Sequence, residues 1–230
     1  MKTLIIIPAY NEAGNIEKVV DNIIQNYPQF DYVVVNDGST DSTRKICKER
    51  GYNLLDLPMN LGLAGAIKSG IKYANFNQYD YAVQVDGDGQ HDPKYIDSMI
   101  EYMEKEGSDI VIGSRFVSAK KNHSLRMFGN NLIEFLILIT TGKKITDPTS
   151  GMRLFNKKMI KQFGYRMNYG PEPDTLAFLI NSGIKVDEVQ VEMKEREYGT
   201  SYLSFTRSIL YMLHMIYGIL IFQWFRKKGA

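Results

Sequence analysis

The sequence predicts an α/β fold with an open and mostly parallel central sheet. Two observations lead to this prediction. Short apolar runs alternate with helical patterns from residue 1 to about residue 115, and this alternation is typical of βαβ units. The chain of 230 residues is 44% hydrophobic and 23% charged, which suits one full α/β domain with a small appendage.

The apolar runs and the helical patterns can be assigned in chain order. The predicted strands of the first half are "TLIII", "YVVVN", "NLLDL", "YAVQVD" and "DIVIGSR". The helices between them are "GNIEKVVDNII", "STDSTRKICKER", "LGLAGAIKSGIKYA" and "PKYIDSMIEYMEKEG", the last opened by Pro93 and closed by Gly107. The second half is less regular: a helix around 124–142, a loop "DPTSGMR" that leads into a strand and a helix, a helix from "PEPD", and a strand "IKVDEVQVEMKERE" with period-two alternation.

Bulk properties narrow the class of protein. A net charge of +2 carries no strong signal for a polyanion, so we expect no nucleic-acid partner. The single cysteine, Cys47, excludes an internal disulfide framework and fits a reducing compartment. The opening "MKTLIIIPAYNE" lacks the apolar run of a secretory signal. We therefore expect a cytosolic domain whose first strand begins at once.

Residues 84–93, "QVDGDGQHDP", place three carboxylates directly after a buried strand. Their mutual repulsion is relieved by protonation or by a cation. The first strand is followed by neither G-x-G-x-x-G nor a phosphate loop, and an EF-hand would need glycine where His91 stands. The interpretation that remains is a divalent cation that bridges the carboxylates to a diphosphate. The alternative is an acidic turn that binds nothing.

Three motifs in order, "IIIPAYNE", "VVNDGSTD" and "VDGDGQHDP", resemble those of glycosyltransferase family 2, which has the GT-A fold. The likeness spans roughly residues 1–200. It implies a Rossmann-like nucleotide-diphospho-sugar transferase domain over 1–200. The apolar residues of the tail themselves predict a C-terminal amphipathic, apolar helix within 201–230.

The resemblance assigns donor and metal residues. It implies that the nucleotide of a nucleoside-diphosphate-sugar, with UDP favoured over a guanosine nucleotide, is bound by Pro8, Ala9, Tyr10, Glu12, Asp37 and Asp86. The cation, Mg²⁺ or Mn²⁺, would be held by Asp86, Asp88 and Gln90. Asp41 and Asp92 are interpreted instead as turn or helix-capping residues.

The second half looks most like the polyprenyl-phosphate glycosyltransferases, the dolichyl-phosphate mannose synthase group. The motifs that carry this likeness are "GSR", "LRMFGN", "DPTSGMR" and "EREYGTS". It implies a polyprenyl phosphate acceptor, undecaprenyl or dolichyl, whose phosphate is bound by Arg115, Arg126, Ser150, Arg153 and Arg196. Guanidinium forks suit a phosphate, although each arginine has a surface ion pair as its alternative.

The acceptor decides which catalytic groups an inverting transfer needs. A phosphate is already ionised and needs no general base, whereas a sugar hydroxyl does. The predicted catalytic residues are Asp88, Arg115, Arg153 and Asp174. Asp174, with Glu172, belongs to "PEPD" near the place of a base in hydroxyl-transferring relatives, so a saccharide hydroxyl in cell-wall or exopolysaccharide synthesis is the alternative acceptor. Helix capping is the alternative role for "PEPD".

The tail from Ser208 to Phe225 is apolar and is followed by "RKK". Its length is borderline for a membrane span, so we predict an interfacial helix at the cytoplasmic membrane surface. The alternatives are a helix that completes a soluble core and a dimer interface. Many polyprenyl-phosphate relatives have two spans after the catalytic domain. The absence of two such spans here favours binding to a small membrane partner protein or formation of a homo-oligomer. The alternative to an enzyme is a non-catalytic scaffold protein of the same fold.

Overall fold

A computed structural model describes residues 1–119, 121, 125–166, 170–194, 205–222 and 225. Its centre is a seven-stranded sheet in the order β3-β2-β1-β4-β6-β5-β7. The strands are β1 (Thr3–Ala9), β2 (Asp31–Asn36), β3 (Leu54–Asp56), β4 (Tyr81–Gln84), β5 (Ile110–Ser114), β6 (Arg153–Asn156) and β7 (Val186–Gln190). All of the neighbouring pairs are parallel except those that involve β6, so the predicted α/β architecture is confirmed.

Helices cover both faces of the sheet. They are α1 (Ile16–Asn26), α2 (Thr43–Glu49), α3 (Gly62–Phe76), α4 (Ile96–Glu106), α5 (Leu125–Thr141), α6 (Lys157–Lys161), α7 (Pro173–Asn181) and α8 (Phe205–Tyr217). Apolar side chains of α1, α2 and α4 fill one core, and those of α3 and α5 to α8 fill the other. This two-sided burial explains why the central strands are continuous apolar runs. Cys47 of α2 is fully buried in the first core.

Local signals set several element boundaries. The Asp92 side chain accepts a hydrogen bond of 3.1 Å from the Lys94 amide at the start of a 3₁₀ turn that leads into α4, which confirms its predicted capping role. Gly107 ends α4 with φ = 67°, a left-handed conformation that glycine adopts without steric cost.

The antiparallel strand β6 lies between β4 and β5. Because it runs against its neighbours, its first residue, Arg153, lies at the edge where β4 ends. The loop before β6 therefore reaches the same edge of the sheet as the loops that follow β1, β2 and β4. This reversal brings "DPTSGMR" beside "VDGDGQHDP".

The C-terminal helix α8 continues as a π-helical turn, Gly218–Phe222. Met215 and Ile219 are buried in the core with α5 and α7. Several large apolar side chains on the outer faces of α5 and α8 are exposed: Phe128, Phe135, Leu138, Ile139, Leu210, Leu213, Tyr217, Leu220 and Ile221. Within the described residues, no helix combines the length and the apolar character that crossing a membrane requires.

Candidate active site

The carboxyl ends of β1, β2 and β4 form the first part of the candidate site. These strands are parallel neighbours in the sheet, so the loops after them meet at one edge, which is where open α/β sheets bind ligands. The Asp37 amide donates a hydrogen bond of 2.9 Å to the Ala9 carbonyl. Pro8 and Ala9 are buried and Tyr10 is half-buried. The structure thus brings the predicted nucleotide-binding loops together.

Internal hydrogen bonds fix these loops. The buried Asp37 side chain accepts a bond of 2.7 Å from the Leu61 amide just before α3. Asn11, with φ = 56°, accepts a bond of 2.8 Å from the Thr40 amide; asparagine tolerates this left-handed conformation better than most residues. Glu12 accepts a bond of 2.7 Å from the Asn15 side chain. Several polar side chains of the first two motifs therefore hold the loops in one conformation before any ligand binds.

Asp41 ties the second loop to the first. Its side chain accepts hydrogen bonds from the Thr43 amide at 2.9 Å and from the Ala13 amide at 3.1 Å. Burial by itself raises the pKa of Asp41, but these hydrogen bonds outweigh burial and lower it. The contacts agree with the turn-forming role that the sequence favoured for this residue.

The Asp86–Asp88 turn is held from both sides. Gln84 donates a hydrogen bond of 2.8 Å to Asp86 Oδ1, and the Asp86 amide donates one of 3.0 Å to His91 Nδ1. A ring nitrogen that accepts this bond carries no proton, so the 3.7 Å approach of His91 Nδ1 to Asp86 Oδ2 is not an ion pair. Asp88, 6% exposed, accepts a bond of 3.0 Å from the Gln90 amide.

The residues predicted to hold a cation are two carboxylates and one amide. The Gln90 side chain already has a protein partner, because its Nε2 donates a hydrogen bond of 3.3 Å to the Lys194 carbonyl. Across the described ranges, no group of three or more His, Cys, Asp or Glu is arranged to hold a metal ion. Two carboxylates on one turn still fit Mg²⁺ or Mn²⁺, since such ions take one or two carboxylates and complete their shell with water and substrate phosphates.

The second part of the site is the loop 146–153, which we call the DPTSG loop. Glu188 of β7 accepts from the amides of Thr146 and Asp147 at 2.7 and 2.9 Å. Ser150, which is buried, donates a bond of 2.6 Å to the Gly113 carbonyl. The loop is therefore anchored to β5 and β7, and the predicted phosphate-binding hydroxyl of Ser150 is already used in this conformation.

Arg115 forms a bidentate ion pair with the fully buried Asp147, with Nε–Oδ2 and Nη2–Oδ1 distances of 2.7 and 2.9 Å. Its side chain is 22% exposed, and its guanidinium lies 5.0 Å from the centre of the Phe116 ring. The pair fixes the orientation of the guanidinium and leaves further N–H groups on a planar fork that suits a phosphate.

Arg153 is placed differently from Arg115, the other predicted phosphate-binding arginine whose side chain the structure describes. It is 4% exposed, and its N–H groups donate to the backbone carbonyls of Ser150, Pro148 and Pro171. Burial lowers the pKa of this guanidinium, while nearby acids, Glu172 foremost, oppose that effect. The structure shows Arg153 holding the DPTSG loop to the segment before α7, and direct contact with a phosphate would need this arrangement to change.

Gly151 joins the two halves of the site. A Cβ atom at this position would lie 2.9 Å from Gln84 Nε2, 3.0 Å from Asp86 Oδ2 and 3.1 Å from His91 Cε1. The DPTSG loop can approach the Asp86 carboxylate this closely because residue 151 has no side chain.

A cavity of ≈ 370 Å³ lies between the start of α3, the N-terminal part of α7 and α8. It is lined by Ala64, Gly170, Glu172, Asp174, Thr175, Tyr211, His214 and Met215. Asp174 is buried and its side chain accepts from the Thr175 amide at 2.8 Å. Gly218 packs directly on Asp174, since a Cβ there would lie 2.6 Å from the Asp174 Cβ. The tail helix thus forms one wall of the cavity.

Two predicted acceptor residues lie outside what the structure describes: Arg196, and the side chain of Arg126 on α5. The sequence reasoning missed Gln84, His91 and Tyr211. The first two flank the acidic turn, so their position next to Asp86 was an available signal. Tyr211 has no comparable signal, because its contact with Glu172 depends on how α8 packs.

These loops on this sheet define a class of protein: a GT-A-like nucleotide-sugar transferase. The family model described as "Glycosyl transferase family 2" matches residues 4–164. The chain belongs to this family and is a glycosyltransferase.

Named relatives align over most of the chain. The UDP-N-acetylglucosamine–dolichyl-phosphate N-acetylglucosaminyltransferase of Methanococcus voltae is 31% identical, over 85% of this chain and 86% of that protein. The polyprenol monophosphomannose synthase of Mycolicibacterium smegmatis is 29% identical, over 88% and 81%. The same fold occurs in glucosyl-3-phosphoglycerate synthase from Mycobacterium tuberculosis, solved with Mn²⁺, UDP and phosphoglyceric acid: the TM-score is 0.71, with 17% identity over 96% of this chain and 78% of that one.

Proposed function

We propose that the chain transfers a sugar from a nucleoside-diphosphate sugar, with a UDP-sugar favoured, to the phosphate of a polyprenyl phosphate. The observation that carries the proposal is what the relatives' names share. One is named for a dolichyl-phosphate acceptor and the other for a polyprenol monophosphomannose product, although their sugars differ. Each aligns with more than 80% of this chain, at 85% and 88%.

The chemistry follows from an acceptor that is already an anion. Its phosphate oxygen attacks the anomeric carbon with inversion and needs no general base, so the protein has to orient two anionic groups in line. Arg115, fixed by Asp147, would present its remaining donors to the acceptor phosphate. The nucleoside would lie on the loops of Pro8 to Glu12 and Asp37.

A divalent cation held by Asp86 and Asp88 would neutralise charge on the departing nucleoside diphosphate. The solved synthase of the same fold contains both Mn²⁺ and UDP, which supports this part of the proposal without separating Mn²⁺ from Mg²⁺. Gln84 and His91 hold the Asp86 turn, so its carboxylate is in place before the donor arrives, a preorganisation that favours transition-state stabilisation.

The lipid acceptor also explains the exposed apolar side chains of α5 and α8. The two helices lie side by side, since a Cβ atom at Gly129 of α5 would lie 3.1 Å from the Met212 sulfur of α8. So many large apolar side chains exposed on two neighbouring helices are unusual on a monomeric soluble protein. We propose that these side chains lie on the cytoplasmic face of the membrane, within reach of the polyprenyl chain.

A transfer assay tests the proposal. Purified protein, Mg²⁺ or Mn²⁺ and polyprenyl phosphate are incubated with a panel of labelled nucleotide sugars, and the product is extracted into organic solvent. Label in a lipid that mild acid cleaves is the expected result and identifies the sugar. If no donor labels the lipid, even with membranes added to supply a partner protein, the proposal is wrong. A hydroxyl acceptor would then be tested with Asp174 as the base.

A further inference from the structure

Tyr211 on α8 donates a hydrogen bond of 2.8 Å to Glu172 Oε2, just before α7. Burial, followed by the charge of Glu172, raises the pKa of Tyr211 well above its ordinary value. The hydroxyl therefore stays protonated and remains a donor to the carboxylate. Hydrogen bonds to a charged acceptor are stronger than neutral ones. This contact joins the C-terminal helix to the wall of the cavity.

The same contact continues to the DPTSG loop. Glu172 follows Pro171 in the chain, and the Pro171 carbonyl accepts from Arg153. The other N–H groups of Arg153 hold the carbonyls of Pro148 and Ser150 within the loop. An uninterrupted path of covalent and hydrogen bonds therefore runs from Tyr211 to the residues that flank Gly151, which lies against Asp86.

We propose that Tyr211 is a positioning residue for sugar transfer, which fixes the Glu172 carboxylate and, through Pro171 and Arg153, holds the DPTSG loop against the Asp86 turn. The inference rests on the proposed function, because it takes this loop as part of the acceptor site. Since in-line geometry is what the reaction needs from the protein, loss of the contact slows turnover more than it weakens binding of the nucleotide sugar.

The first test needs no substrate. Backbone hydrogen exchange is compared in the full chain, in Tyr211→Phe and in Tyr165→Phe, which removes a hydroxyl from an exposed tyrosine outside α8, the cavity and the DPTSG loop. In Tyr211→Phe the amides of Ser150 and Met152, which are bonded within the loop, should exchange at least about tenfold faster, because local opening costs less. Tyr165→Phe should match the wild type. Unchanged exchange in Tyr211→Phe overturns the proposal whatever the substrate is.

The second test measures transfer. Tyr211→Phe should lower kcat about tenfold and leave KM for the nucleotide sugar within about twofold, while Tyr165→Phe keeps both values. If Tyr211 acts through Glu172, adding Tyr211→Phe to Glu172→Ala should cause no further loss. Independent losses that multiply, or a kcat equal to that of the wild type, would overturn the proposal. A wild-type protein that labels no lipid phosphate would contradict the proposed function instead, and the exchange experiment would still decide whether Tyr211 holds the loop.

Discussion

Replacement of Arg153 by lysine tests whether this residue holds the DPTSG loop. The guanidinium donates to three backbone carbonyls at residues 148, 150 and 171, and it is almost fully buried. A lysine ammonium is a compact group that cannot reproduce a planar fork with separate arms. We assume that the ammonium keeps a hydrogen bond to one of the three carbonyls. The other two carbonyls are then buried acceptors without a partner.

The expected loss follows from those two acceptors. A buried polar group without a partner costs about 1–3 kcal/mol, so Arg153→Lys should lower the free energy of unfolding by about 2–6 kcal/mol. Domains are stable by only about 5–15 kcal/mol in total, so the change is large. Urea unfolding followed by circular dichroism would measure it.

Arg44→Lys is the matched control. Arg44 is 58% exposed and pairs with Asp56 at 2.6 Å, a surface contact that a lysine can also make and that contributes about 0–1 kcal/mol. A loss in Arg153→Lys no larger than in this control would refute the holding role. If such a variant were stable and yet inactive, the direct phosphate contact that the sequence predicted for Arg153 would become the better explanation.

Four further changes test other parts of the site and fold. Asp88→Asn keeps an oxygen for the Gln90 amide but removes the charge for a cation, so transfer should fall more than about 100-fold with an unchanged melting temperature; near wild-type activity would contradict the metal assignment. Gly151→Ala places a methyl group about 3.0 Å from Asp86 Oδ2, which should cost about 1–3 kcal/mol of stability and weaken nucleoside-diphosphate binding measured by calorimetry. Burial alone raises the pKa of Asp109, but hydrogen bonds, from the Lys158 side chain foremost, outweigh burial and lower that pKa. The ionised carboxylate therefore stabilises the fold above the unfolded-state pKa of about 3.9, and this stabilisation is lost as the pH falls through the lower folded-state value. Asp109→Asn should accordingly reduce the loss of stability that the protein shows at acid pH. Leu213→Glu puts a charge on the exposed face of α8 and should reduce sedimentation with anionic vesicles several-fold without changing the circular dichroism spectrum; undiminished sedimentation would contradict membrane contact through this face.

The sequence predicted the elements well where burial sets the pattern. Strands β1, β2 and β5 are apolar runs because helices cover both of their faces. The positions of Asp37, Asp86 and Asp88 followed as well, since parallel neighbours end at one edge and carry their loops there. Asp92 was recognised as a cap because it directly precedes Pro93 at a helix start.

The environment of the arginines could not be predicted in the same way. Arg153 has backbone carbonyls as its partners, and their positions depend on the tertiary path of residues 148–171. The resemblance to the polyprenyl-phosphate glycosyltransferases, supported by the fit of a guanidinium to a phosphate, therefore suggested a phosphate ligand. The reversed direction of β6 was equally hidden, because strand periodicity carries no information on polarity. Tyr211 could not be recognised either, because its partner Glu172 lies far away in the chain.

The burial of Cys47 has a practical consequence for spectroscopy. Its thiol is fully buried and burial raises its pKa to about 11, so at neutral pH it is protonated and a poor nucleophile. Because it is the single cysteine of the chain, a second cysteine introduced on the exposed face of α8 can be alkylated selectively with a fluorophore while the native residue is kept. Quenchers placed at known depths in a bilayer would then report how closely that helix approaches the lipid.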